Sequence, residues 1–152
     1  MKRDPRLRPL SRDHHHALAL ARRATLAAKS GDPSAVRETW DEVVTKFDDE
    51  LVPHFEIEER FLLPAMRAAG DEPLVDRILD DHRAIRKLVR SGGHDPQRLA
   101  EFGERLTGHV RFEERVAFPS AETKLASDVL EGVEKAATPP SAERPTPRKP
   151  RQ

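Results

Sequence analysis

Apolar residues recur at spacings of three and four from Leu10 to about Phe118, and no segment keeps a sustained period of two. That periodicity predicts helices throughout and no strands. A first helix is expected from a cap at Ser11 or Asp13 to about Ser30, with Leu10, Ala17, Leu18, Ala21 and Ala28 along one side. Gly31-Asp32-Pro33 closes it, and Asp32 or Ser34 starts a long second helix with Val36, Trp40, Val43, Phe47, Leu51, Leu62 and Ala65 on its apolar face. Pro53 is expected to kink that helix, and Pro64 to bend or end its last turn. A third helix follows Gly70 with Val75, Ile78, Leu79, Ile85 and Val89 on one face. Gly92-Gly93-His94-Asp95-Pro96 reads as a loop, with His94 at the surface. The fourth helix carries Leu99, Phe102, Leu106 and Val116 to about Phe118, and a short terminal helix spans Ser127–Ala136. The expected fold is all-α: an antiparallel up-down four-helix bundle over residues 10–136 with a short extra C-terminal helix. Residues 1–9 read as a flexible basic lead. Residues 137–152, rich in proline and nearly devoid of apolar side chains, read as a disordered basic tail.

Polar residues break this pattern twice in the same way. His54, Glu58, Glu59, Arg60 and Pro64 recur as His109, Glu113, Glu114, Arg115 and Pro119, at identical offsets from the histidine. Residues four apart share a helix face, so His54 stacks over Glu58 and His109 over Glu113. Extending the stripe Phe47, Leu51 by its own period lands on His54, Glu58 and Leu62, and Phe102, Leu106 leads to His109 and Glu113. Each helix therefore aims an imidazole and a carboxylate at the core. Burying a carboxylate without a counter-charge costs several kcal/mol, and the core stripes carry no Lys or Arg beside these positions. A metal ion resolves the conflict.

The third helix adds His82 among Ile78, Leu79, Ile85 and Val89. The first offers His14, His15 and His16. The stripe through Leu10, Ala17 and Ala21 places His14 nearest the core, while His15 followed by Leu18 parallels His82 followed by Ile85, so both remain candidates. Four helices each presenting an imidazole, two of them with a carboxylate, suit Fe, Mn or Zn, and two carboxylates can bridge a pair of ions.

These residues resemble the hemerythrin-like family, the HHE cation-binding domain, over about Leu10 to Ala126. The resemblance rests on the first-helix histidine, His54-x-x-x-Glu58, His82 and His109-x-x-x-Glu113, with Pro64 and Pro119 ten residues past their histidines. It implies a four-helix bundle holding two non-haem irons, with Glu58 and Glu113 bridging and His54 and His109 ligating, and an activity in oxygen binding, oxygen or iron sensing, or iron handling. Respiratory hemerythrins place their acidic ligand five residues after the fourth-helix histidine, which here is Glu114. Glu113 is preferred because it shares the face of His109. Respiratory hemerythrins also use two histidines four apart on the third helix, whereas His82 is followed at that offset by Arg86. Unless His15 or a second Glu compensates, one fewer imidazole leaves a coordination position for water or admits a different metal, which argues against stable oxygen carriage.

Composition narrows the alternatives. The chain has no Cys, so any metal is held by nitrogen and oxygen alone. Glu-x-x-His motifs of ferritin-like di-iron bundles and the His-Glu-x-x-His of zinc proteases are both absent. No nucleophile or phosphate-cradling glycine loop is evident, so binding is favoured over catalysis. The alternatives are a structural zinc or other-metal bundle serving as a regulatory module, and a di-iron oxidase or peroxidase. Formal charge is zero, with 27 Lys+Arg and 27 Asp+Glu, but it is unevenly placed. Residues 1–10 and 138–152 each carry four basic residues and one acidic residue, leaving 19 basic against 25 acidic over 11–137. The basic tail has no interleaved aromatics, which speaks against nucleic acid as a partner. No apolar run approaches the roughly 20 residues of a membrane span. Metal ions and dioxygen are the expected partners and the cytoplasm the expected location.

Overall fold

The computed structural model describes residues 2–138, and among them every regular element is helical. Helix α1 spans Arg8–Lys29. A second rod runs through α2 (Pro33–Lys46), α3 (Val52–Ile57) and α4 (Leu63–Ala68). Helix α5 covers Glu72–Ser91. A fourth rod joins α6 (Pro96–Phe112) to α7 (Phe118–Lys124), and α8 (Ser127–Ala137) follows. None of these helices is long and apolar enough to cross a membrane. Most of the segment expected to form a disordered tail, residues 139–152, lies outside the described residues.

Asp-Pro pairs start two of the rods. Asp32 accepts a hydrogen bond from the Ser34 amide and Asp95 from the Gln97 amide, with Pro33 and Pro96 in the first turn, where no amide hydrogen is needed. The turns between rods use Gly31 and Gly70 at φ +72° and +98°, values that a side chain makes costly. The first helix differs from expectation. It starts at Arg8 rather than at a Ser11 or Asp13 cap, because Leu7 and Leu10 are fully buried and draw an extra turn into the core. Asp13 caps nothing; its carboxylate is used across the helix interface.

The prolines inside the rods act through the backbone ahead of them. Phe47–Leu51, Glu58–Leu62 and Glu113–Ala117 are single π-helical turns, and Pro53, Pro64 and Pro119 each stand two residues beyond one. The amide before each proline bonds five residues back: Val52 to Phe47, Leu63 to Glu58, Phe118 to Glu113. Widening the turn makes room for a ring that lacks an amide hydrogen and would collide with the carbonyl of residue i−4 in a regular helix. Each extra residue also advances the helix face. Val116, expected in the apolar stripe, is therefore 43% exposed while Ala117 and Phe118 are buried, and Met66 rather than Ala65 fills the core after Pro64.

The apolar interior forms two clusters. One gathers around Trp40, Val43, Phe102 and Leu106, the other around Leu10, Met66, Ile78 and Phe118. Every rod passes from one to the other through a polar residue: Ala17 to Leu10 through His14, Leu51 to Leu62 through His54 and Glu58, Ile85 to Ile78 through His82, and Leu106 to Ala117 through His109 and Glu113. The site is a polar waist between two dry cores.

Candidate metal centre

His14, His54, Glu58, His82, His109 and Glu113 are all buried at this waist, none more than 4% exposed. Of the sequence candidates, these six come together. His15 points to solvent, so the histidine that continues the stripe is the inward one, and Glu114 stands outside the cluster. Their donor atoms form two overlapping groups, each within 4.8 Å: His14, His54, Glu58 and Glu113, then Glu58, His82, His109 and Glu113. The two carboxylates belong to both. Glu58 turns Oε2 to His54 Nε2 at 3.1 Å and Oε1 to His82 Nε2 at 3.1 Å. Glu113 turns Oε1 to His14 Nε2 at 2.9 Å and Oε2 to His109 Nε2 at 3.3 Å. Each carboxylate thus offers one oxygen to each group.

The donors fit cations. Bonds of about 2.0–2.1 Å to nitrogen and oxygen separate neighbouring ligands by about 2.8–3.4 Å, and the four imidazole–carboxylate approaches lie at 2.9–3.3 Å. His54 Nε2, His109 Nε2, Glu58 Oε2 and Glu113 Oε2 are buried without a hydrogen-bond partner, although each has another donor nearby. They face one another in pairs, His54 with Glu58 at 3.1 Å and His109 with Glu113 at 3.3 Å, without the geometry of a hydrogen bond. Inward lone pairs left unmatched in a buried site are what a cation satisfies.

Protonation shows the same demand. Burial opposes charge on His109, yet the Glu113 carboxylate and the hydrogen bond to Asp81 outweigh it and hold the imidazole at about 10. Burial likewise opposes charge on His14 and His54, and their carboxylate partners raise both. Glu113, against its own burial, is held far below the usual carboxylate range by His109, His14 and His54. Without a metal the waist keeps protons where cations would sit, so metal uptake releases them.

Four further carboxylates escaped the sequence reading as a set. Asp13 accepts from His54 Nδ1 at 2.9 Å and Asp81 from His109 Nδ1 at 3.1 Å. Glu59 accepts from His82 Nδ1 at 2.6 Å and Glu114 from His14 Nδ1 at 2.5 Å. The signal was present: Asp13-His14 on α1 and Asp81-His82 on α5 are the same dipeptide, each supplying one inward imidazole and one outer carboxylate. That recurrence also separates His14 from His15.

Phe55 stacks on His82 with ring centroids 3.8 Å apart and Phe118 on His14 at 5.4 Å, closing the apolar walls. A cavity of about 10 Å³ lies beside His14, His54 and His109, faced by Ala17, Leu51, Phe55, Leu106 and Val110. It has room for about one water-sized sphere.

An all-helical protein with a buried, cysteine-free cluster of four imidazoles and two shared carboxylates is a helical metal-binding protein. The hemerythrin HHE cation-binding domain matches residues 7–121, and the chain belongs to that family. Comparison with curated proteins and with solved structures gives no match.

Proposed function

We propose that the chain is a non-haem di-iron protein that binds or senses dioxygen, or handles iron, within an antiparallel up-down four-helix bundle in the cytoplasm. The order of contacts between rods supports the topology. Arg23 meets Glu42 while Asp13 meets His54, and Asp81 meets His109 while Asp71 meets Lys124, so numbers fall on one rod as they rise on its neighbour.

One observation carries the dinuclear reading: Glu58 and Glu113 each direct separate oxygens into the two donor groups. His14 and His54 would complete one ion's protein ligands, His82 and His109 the other's. Four protein donors per ion leave positions free on ions that take five or six ligands. Iron held there supplies reversible binding of, or electron transfer to, dioxygen. The protein's share is to orient the imidazoles, exclude bulk water and set the size of what enters. The cavity beside His14, His54 and His109, with room for about one water-sized sphere, suits a diatomic ligand.

The test is metal analysis of protein purified from its native host, with absorption spectra before and after air exposure. Two irons per chain and a visible band that appears with air are expected. Stoichiometric zinc with no such band overturns iron and oxygen together and favours a structural bundle.

A further inference from the structure

Each of the four inward imidazoles presents Nε2 to the centre and Nδ1 to a carboxylate on a neighbouring rod. Asp13 on α1 holds His54 and Asp81 on α5 holds His109. Glu59, on the second rod, holds His82, and Glu114, on the fourth, holds His14. The pattern is complete, with no inward histidine left over. It also closes a circuit, because each rod supplies both an imidazole and an outer carboxylate. We propose that Asp13, Glu59, Asp81 and Glu114 are positioning residues that fix every ligating imidazole with its proton on Nδ1 and its lone pair on Nε2 facing the metals. This rests on the dinuclear reading above and adds a set of determinants outside the ligands.

The physical ground is the histidine's two nitrogens. A neutral imidazole carries one proton, and a carboxylate at Nδ1 keeps it there, because an ionised carboxylate can only accept. Nε2 is then a free donor, and the charge behind Nδ1 raises its basicity. A ring free to rotate could meet a metal through either nitrogen, so fixing it removes a competing arrangement and strengthens binding. Six carboxylates and four imidazoles concentrate negative charge at the waist. Arg3, Arg86 and Arg77, on Glu114, Glu59 and Asp81, offset part of it at the outside. The inner excess is left for cations.

The test uses the full chain labelled with ¹⁵N at histidine and loaded with Zn²⁺. Long-range ¹H–¹⁵N correlation spectra of the wild type are expected to show four buried imidazoles protonated at Nδ1. Asp13→Asn, Glu59→Gln, Asp81→Asn and Glu114→Gln keep size and remove charge. Each is expected to lower Zn²⁺ affinity about 10- to 100-fold, and to disturb the nitrogen signals of its own histidine first: His54, His82, His109 and His14 in turn. A purely structural role would not follow that correspondence. Zn²⁺ bound through Nδ1 in the wild type, or four variants with unchanged affinity, overturns the inference while leaving the metal centre standing. A wild-type chain that takes up no Zn²⁺ overturns the centre and the inference with it.

Discussion

His14 on α1 and His82 on α5 sit in matching surroundings built from unmatched parts of the chain. Around His82, Glu59 takes Nδ1, Arg86 pairs with Glu59 at 3.0 Å, and Phe55 lies against the ring with the Arg86 guanidinium 5.5 Å from its centroid. Around His14, Glu114 takes Nδ1, Arg3 pairs with Glu114 at 3.2 Å, and Phe118 faces the ring with Arg3 also 5.5 Å from its centroid. The glutamates are equivalent in the internal repeat. The phenylalanines are not: Phe55 precedes Glu59 by four residues and Phe118 follows Glu114 by four. Nor are the arginines, since Arg86 lies one turn beyond His82 while Arg3 comes from the segment ahead of α1. The inward histidines and glutamates, and the carboxylates behind them, keep the repeat because they must converge on one buried point. Walls and counter-ions need only the right chemistry in the right place, and either side of a helix can supply it.

The inner equivalence is the first thing to break. Glu58→Ala and Glu113→Ala should each drop bound metal from two ions per chain to one or none, read by metal analysis after loading and desalting. Equal losses support two bridging carboxylates. Full loading of both variants removes those glutamates from the ligand set.

The walls should differ more than the ligands. Both rings are fully buried, so Phe55→Ala and Phe118→Ala are each expected to cost about 3–5 kcal/mol in denaturant unfolding of the metal-free protein. Phe55 should lie at the upper end. It stacks more closely on its histidine and also meets Phe47 and His109, at 6.3 and 5.7 Å. A larger loss at Phe118 would reverse the ranking of the two halves.

The sequence carried the helices and the inward His and Glu side chains because both obey the helical period: apolar stripes predict rods, and a His-x-x-x-Glu pair interrupting a stripe must face the core. It carried less of what lies across interfaces. Asp13 looked like a cap and Arg3 like part of a flexible lead, since nothing local reveals that one reaches His54 and the other reaches Glu114 and Glu122. The period itself slipped where proline forced a π turn, which turned Val116 outward and brought Phe118 in. Pro53 was visible as a kink and Pro64 as a bend or end of its helix. Their effect on register was not, because the inserted residue lies ahead of the proline and leaves no composition signal.

Acidity separates the metal-free waist from the loaded one. His109 is raised from an ordinary 6.5 to about 10 in the folded protein. Its contribution is fully present below the unfolded value and is lost as pH rises from about 6.5 through 10. The melting temperature of the metal-free protein should therefore fall by several degrees across that window. Zn²⁺ uptake runs the other way, because it displaces inward protons and strengthens as they become scarce. Thermal melts at matched pH values, with and without Zn²⁺, should diverge as pH rises. Parallel curves would mean that protons and metal do not compete for the same place.

The smallest expected effect tests the unmatched arginines. Arg86 bonds only Glu59 among these carboxylates, through Nη1 and Nη2 at 3.0 and 3.3 Å. Arg3 bonds the Glu114 side chain, the Glu114 carbonyl and Glu122, and so ties the segment ahead of α1 to the fourth rod. Partly exposed ion pairs are worth about 1 kcal/mol or less, so Arg86→Ala should change unfolding stability by no more than that. Arg3→Ala should cost somewhat more and also loosen the first residues, seen as faster amide exchange at Leu7 and Arg8. Both should weaken Zn²⁺ binding by less than Glu59→Gln or Glu114→Gln, because the carboxylate stays on Nδ1 when its counter-ion is gone. An arginine variant that loses as much metal as its glutamate variant would make the guanidinium, and not the carboxylate, the group that holds the imidazole in place.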